Sequence, residues 1–347
     1  MSTPVGPLGS GLGGGVELTV TCLVQILQTL GHQVQVVAPS GSELADTDLV
    51  TVPGNLQVPA QSQTRQTPIQ LPSQPVLGEQ WRYAYAVQSD WDIIVNFAYD
   101  WLPYYLTPFF DCPIAHFISM GSLGNALDAI ATETLRQYPG SIGVYTRSQA
   151  ATFPFAADCT ILGSAIDLAQ YHYNPTPEAA LAWVGRISPE KALEDAVAAV
   201  VQVNLPLRIF GKLQDHQYWQ QIQQDYPQAQ LDYRGFLDTD QLQAELGKCR
   251  ALIMTPRWVE AFGNVAIEAL ACGVPVIAYN RGGPGEIILD GHTGFLVEPN
   301  NVSGLVSSIH ELPGLKRAFC RQSAEQNYSL IGWGQRFVEW LVTVKQV

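Results

Sequence analysis

Apolar residues recur at helical spacing from Val16 to Leu30, and Gly31 then ends the run ahead of a β-branched segment, "HQVQVVAP" (32–39). The same alternation of helix-period and short β-rich stretches continues along most of the chain. Strands are predicted at "WDIIVNFA" (91–98), "CPIAHFIS" (112–119), "SIGVYTRS" (141–148) and "DCTILG" (158–163). A second series opens with "LAWVGRI" (181–187). It runs through a helix at 190–202, "PLRIFG", a helix at 215–225, "LDYRGF", a helix at 239–247, "ALIMTP", "VPVIAYN" and "GFLVEP" to two terminal helices. Such an order predicts βαβ units and parallel sheets. Residues 39–80 break the pattern. They are rich in Pro, Gln, Ser and Thr with little periodicity, which predicts a long irregular insertion.

Two prolines in "YHYNPTPEAA" (171–180) lie between the two series and mark the expected hinge. The predicted fold class is therefore α/β, with two doubly wound domains at 1–174 and 178–325 and a terminal helical segment at 326–347. A length of 347 residues suits two cores of ordinary size. One irregularity stands at the start: the glycine-rich "GPLGSGLGGG" (6–15) is preceded only by Met1 to Val5. A central strand normally leads into such a loop. The expectation is a strand absent or cut to a stub, a sheet slot left open, and further apolar residues upstream of Met1.

Charge narrows the partners. Eighteen Lys and Arg against 31 Asp and Glu give a net charge of −13, which disfavours nucleic acid and anionic membrane surfaces. No apolar run reaches the eighteen residues of a membrane span and no signal-peptide pattern opens the chain, so a cytoplasmic protein is expected. The six cysteines are far apart, without CxxC pairs or His partners at zinc spacing, and read as reduced apolar side chains.

The strongest chemical feature is "WVEAFGNVAIEALACG" (258–273). Glu260 precedes a helix and Glu268 lies in it eight positions later, among apolar residues on every side. A buried carboxylate needs hydrogen-bond donors. Ribose hydroxyls would serve, and so would Arg186 or Arg281. Gly263 and Asn264 stand at the helix start, where free N–H groups attract phosphate. Arg186 and Lys191 of "VGRISPEK" could neutralise a diphosphate leaving group. The turn "NRGGPGE" adds further N–H groups, with Glu286 at its end. Two three-residue "DTD" matches (46–48 and 238–240) hint at a metal site only weakly, and Asp238 reads more simply as a helix cap. No metal and no cofactor is expected.

"EAFGNVAIEALACGVPVIAY" followed by "GGPGEIILDGHTGFLV" resembles the donor-site block of the retaining family-4 glycosyltransferases. "WVGRISPEK" resembles their Arg and Lys pair, "GGGVELTVTCLVQILQTLGHQVQVV" their first loop and helix, and "SLIGWGQRFVEWL" their last helix, which crosses back to the first domain. The resemblance implies the GT-B fold, two Rossmann-like domains facing a central cleft, and metal-independent sugar transfer with retention. It implies that Arg186 and Lys191 bind the donor diphosphate and Glu268 the ribose. Glu260 would touch the donor sugar, so Arg186, Lys191 and Glu260 are the expected catalytic set. Gly263, Asn264 and Val265 would hold sugar and phosphate through their backbone, and Gly14 and Gly15 would let the first domain's backbone approach the donor. UDP-glucose is the donor by family habit.

The acceptor is less defined. The family often carries a first-domain His six residues past a Pro. From Pro113 that position is Ser119, while His116 lies nearby, so His116, Ser119 and Glu17 are the acceptor-site candidates. Between Trp81 and Phe117, 12 of the 34 aromatic residues fall in 37 positions, either as core or as a stacking wall for a flat acceptor. The opening "STPVGPLGSGLGGGVELT" also resembles bacterial UDP-glucose:tetrahydrobiopterin glucosyltransferases, which implies a reduced pterin acceptor. A sugar or lipid-linked acceptor, or a non-catalytic nucleotide-binding protein, are the alternatives.

Overall fold

The computed structural model describes residues 1–346, and the chain divides into two compact units. One comprises Met1–Ser164 with the C-terminal segment from Leu330, and the other Ala165–Ser329. The division precedes the two prolines of 171–180. Those residues are tied to the second unit: Arg321 donates to Tyr171 O at 2.6 Å, Arg317 to Asn174 O at 2.6 Å, and Asn174 N–H to Cys272 O at 3.1 Å.

In the first unit β1 (Gln35–Pro39) pairs with β2 (Asp48–Val52). β3 (Ile94–Asn96), β4 (Ile114–Ile118), β5 (Ile142–Val144) and β6 (Thr160–Ile161) form a second parallel set in that order. The first two residues join the two sets. Ser2 N–H donates to Val37 O at 2.9 Å, Phe97 N–H to Met1 O at 3.0 Å, and the Met1 ammonium to Val95 O at 2.8 Å. Contrary to the sequence expectation, the slot is not open: a stub of two residues satisfies the facing backbone groups of β1 and β3. Burial of the Met1 ammonium there pulls its pKa down to about 5. Counting the stub as the first strand, the order is 3-2-1-4-5-6-7, the doubly wound arrangement.

The helix Gly15–Thr29 follows the glycine loop. It buries Val16, Val20, Leu23, Val24 and Leu27, and ends where Gly31 adopts φ +89°. β2 and the start of the helix Val76–Val87 fall within the stretch expected to be irregular. Three helices, not two, follow the last strand: Val302–Glu311, Arg317–Asn327 and Leu330–Lys345. The last packs in the first unit through Trp333, Phe337 and Trp340, with Phe337 and Phe117 ring centroids 5.7 Å apart and Trp340 Nε1–H donating to Gly140 O at 2.7 Å.

The second unit is one six-stranded parallel sheet: β7 (Leu181–Val184), β8 (Leu207–Phe210), β9 (Leu231–Gly235), β10 (Leu252–Met254), β11 (Val276–Tyr279) and β12 (Gly294–Val297). Its order β12-β11-β10-β7-β8-β9 is again that of a doubly wound domain, with the reversal between β7 and β10. Leu181, Trp183, Ile209, Ile253 and Ile277 supply its core beneath Val197 and Val200 of the helix Leu193–Val203. No helix among the described residues is long and apolar enough to cross a membrane, and none of the six cysteines is in a disulfide.

Candidate functional site

Ligands of open α/β sheets bind beyond the carboxyl ends of the strands at the point of reversal. In the second unit that point lies between β7 and β10, and the chain places the predicted donor residues there. Past β7, Arg186 leads to a short 3-10 turn, Pro189–Lys191, and then to Ala192, which is fully buried with φ +47°. Thr255, just past β10, pins this turn: its hydroxyl lies 3.1 Å from Lys191 O and 2.7 Å from Ala192 O, and it accepts from Trp183 Nε1–H at 3.3 Å.

So held, Lys191 points its ammonium at Glu260, with Nζ 2.5 Å from Oε2. Trp258 Nε1–H donates to the same oxygen at 3.1 Å. The Trp258 ring lies under Lys191, with Nζ 4.8 Å from its centroid, and Arg186 Cζ is 5.9 Å from it. Arg186 also meets Glu190 at 3.4 Å and Gln214 Oε1 at 3.2 Å. Burial by itself would raise the Glu260 pKa. The charge and hydrogen bond of Lys191, then the Trp258 N–H and Arg186, outweigh it and hold the carboxyl below its usual range.

Gly283 N–H donates to Glu260 O at 2.7 Å, which anchors the loop leading to the next helix. That helix, Asn264–Ala271, starts at Gly263 with φ +94°, and Asn264 and Val265 of its first turn are only half buried. Glu268 is 9% exposed. It pairs with neither arginine considered from the sequence. Its Oε1 accepts from the Tyr171 hydroxyl at 3.0 Å, and Arg281 donates instead to the carbonyls of Pro256 and Arg257. Burial raises the Glu268 pKa, and the Tyr171 hydrogen bond opposes that only in part. Arg186, Lys191, Glu260, Gly263, Asn264, Val265 and Glu268 thus all lie on segments that follow the carboxyl ends of the central strands β7 and β10. Tyr171, Thr255 and Trp258 are the members that sequence reading missed. Trp258 was within reach, two residues before Glu260. Tyr171 and Thr255 left no sequence signal.

Asp238 caps the helix Thr239–Gly247, accepting from Gln241 N–H at 2.8 Å. Among the described residues no group of three or more His, Cys, Asp or Glu is placed to hold a metal ion.

In the first unit, Gly14 precedes the helix Gly15–Thr29 with φ +63°, and a Cβ there would meet nothing within 4 Å. Ser119 is half buried just past the carboxyl end of β4. His116 is not an acceptor-site residue. It has no exposed surface, its ring stacks on Tyr104 at 4.4 Å, and both nitrogens are engaged, Nδ1 by Asn96 at 3.1 Å and Nε2 by Thr107 at 2.9 Å. The strand has no open face to offer it, since all of Ile114–Ile118 is buried. Glu17 also faces away from an acceptor role, because its carboxylate is taken up by backbone N–H groups of Gly9, Gly11 and Gly13. Of the aromatic cluster, Trp81, Phe97, Tyr104 and Phe117 are core, while Trp101 stacks at 4.5 Å on the exposed Tyr105.

Burial lowers the His116 pKa to about 3, below the ordinary value of about 6.5. A depressed folded pKa means stability present above pH 6.5 and lost as pH falls toward 3, by up to about 1.4 kcal/mol per pH unit. Between pH 7 and 4 the melting temperature of the wild type is therefore expected to fall more steeply than that of His116→Gln. Parallel curves would contradict it.

The two units, each with doubly wound strand order, define a GT-B architecture. Solved structures agree across nearly the whole chain. Sucrose-phosphate synthase from Thermosynechococcus elongatus superposes with a TM-score of 0.80 at 16% identity, covering 99% of this chain and 96% of its own. Anabaena HepE in complex with UDP and glucose gives 0.77 at 17%, covering 96% and 97%. Residues 169–325, which make up nearly all of the second unit, match the family described as glycosyl transferases group 1. Glycogen synthase from Mycobacterium tuberculosis is 32% identical over 170 residues, 46% of this chain and 41% of its own length. A glycosyltransferase of Methanocaldococcus jannaschii is 32% identical over 133 residues, 38% and 37%. The chain thus spans about two fifths of the length of these curated relatives.

Proposed function

We propose that this protein is a retaining, metal-independent glycosyltransferase that moves glucose from UDP-glucose to a hydroxyl of a small acceptor, a reduced pterin such as tetrahydrobiopterin first among them. The observation that carries the reading is the Arg186, Lys191 and Glu260 cluster at the strand reversal of the group 1 domain, with Glu268 in the adjoining helix. A departing nucleoside diphosphate gains negative charge as the glycosidic bond breaks. Two cations over one indole ring, in a protein of net charge −13, are the groups to meet that charge. The depressed pKa of Glu260 keeps it an ionised acceptor for donor-sugar hydroxyls. Glu268, behind the helix start, suits a pair of ribose hydroxyls. Gly263, Asn264 and Val265 offer backbone N–H groups to phosphate. The fold relative solved with UDP and glucose is consistent with this donor.

The acceptor rests on the resemblance of residues 2–19 to pterin glucosyltransferases. Purified protein incubated with UDP-glucose and a panel of reduced pterins should give a hexose adduct by mass spectrometry, α-linked by NMR, at the same rate with or without excess EDTA. A product formed only with sugar or lipid-linked acceptors would overturn the pterin assignment. Abolition by EDTA would overturn the metal-independent chemistry.

A further inference from the structure

The glycine loop of the first unit carries an anion already, and the anion belongs to the chain itself. Glu17, in the first turn of the helix Gly15–Thr29, accepts from Gly9 N–H (2.9 Å) and Gly11 N–H (3.0 Å) through Oε2 and from Gly13 N–H (2.6 Å) through Oε1. Gly9 and Gly11 have φ +85° and +71°, so alternate residues turn their amides inward, the concave arrangement that backbone elsewhere offers to phosphate. A Cβ on Gly13 would stand 2.9 Å from Glu17 Cγ and 3.2 Å from Thr3 Cγ2, which leaves no room for a side chain beside the carboxylate. The other end of the loop is tied separately. Leu8 N–H donates to Ser42 Oγ at 2.9 Å, and Glu43 N–H donates to Leu8 O at 3.1 Å.

We infer that Glu17 is a positioning residue: its carboxylate fills the nest of Gly9, Gly11 and Gly13, fixes the loop before any substrate arrives, and bars a second anion from those three amides. A glycine-rich segment is costly to order, and three charge-assisted hydrogen bonds to one buried carboxylate offset that cost. With the nest filled, Gly14 is the next backbone unit along the chain, and nothing surrounds the place a side chain would take. An anionic substrate is thereby directed to Gly14 and the helix start beyond it, and repelled from residues 9–13. The effect on catalysis rests on the glycosyl-transfer reading, while the effect on the loop does not.

Two variants of the full chain test it, Glu17→Gln and Glu17→Ala, read by amide hydrogen exchange, melting temperature and transfer kinetics. In Glu17→Ala the amides of Gly9, Gly11 and Gly13 should lose protection by about tenfold or more while those of Leu23 to Leu27 keep theirs. The kcat should fall by about tenfold or more, and added formate, which can re-enter the nest, should restore part of both. Glu17→Gln has the same size and a single acceptor oxygen, and should fall between the two. Unchanged exchange at the three glycines in either folded variant overturns the inference, as does a loss of kcat that formate leaves untouched. If the wild type transfers no glucose, the proposed function fails, and the exchange experiment still decides the role of Glu17.

Discussion

Lys191→Ala should lower kcat for glucose transfer by about 30- to 800-fold, the equivalent of roughly 2–4 kcal/mol, and change nucleotide affinity by far less. An interaction that strengthens as charge develops on the leaving diphosphate acts on turnover, whereas one made equally in the bound ground state acts on KM. On the proposed function Lys191 is of the first kind. Thr255 and the buried, left-handed Ala192 fix its backbone, and Glu260 and the Trp258 ring fix its ammonium. The variant also removes the main support of the Glu260 carboxylate. In the wild type the Glu260 pKa is held down, so its contribution to stability is present above the ordinary carboxylate pKa and is lost as pH falls through the depressed value. Without Lys191, burial dominates, the carboxyl titrates higher, and the acid limb of the activity profile should move toward neutral pH. Steady-state kinetics from pH 5 to 8 check both effects. Turnover near the wild-type value in Lys191→Ala would remove Lys191 from the reaction.

Much of the fold was legible because its strands are buried on both faces and separated by helices of strict period. Leu181–Val184, Leu252–Met254 and Val276–Tyr279 read as apolar runs and became central strands. What was missed has physical reasons. β2 is a partly exposed edge strand whose sequence, Asp-Leu-Val-Thr-Val, carries a weak pattern. The stub at Met1 and Ser2 pairs with its neighbours through backbone atoms, and two residues are too few to show a strand pattern. In the site, Arg186, Lys191, Glu260 and Glu268 followed from charged residues placed just after strands or inside an apolar helix, and family resemblance gave them roles. Tyr171 could not be found that way, because it meets Glu268 across 97 residues of sequence. Glu17 was visible as a residue, but its role depends on a loop geometry set by left-handed glycines. For His116 nearness to the position counted from Pro113, which is Ser119, misled, since a place in a wholly buried strand gives no access to ligand.

Glu268→Gln should weaken UDP binding by about 10- to 150-fold, from the roughly 1.5–3 kcal/mol that hydrogen bonds to a charged partner contribute. The same variant should raise the melting temperature of the nucleotide-free protein. Both follow from one carboxyl group whose folded-state pKa is raised by burial. For such a group the stabilising contribution is fully present below the unfolded pKa and lost as pH rises through the folded value. Once the pH is high enough to ionise it, the free protein carries a buried charge that works against its stability. Glutamine keeps the volume and an oxygen to accept from Tyr171, and discards the charge. On the proposed function a ribose diol would supply further donors to this carboxylate, beside the Tyr171 hydroxyl. Thermal unfolding with and without UDP separates the two terms. The empty variant should melt above the empty wild type, and the increment produced by UDP should shrink. Wild-type UDP affinity should also decline on acidification as the raised carboxyl protonates, while the affinity of Glu268→Gln stays level. Unaltered UDP affinity in the variant, measured by calorimetry at pH 7, would take Glu268 out of the nucleotide site and leave it a partner of Tyr171 alone.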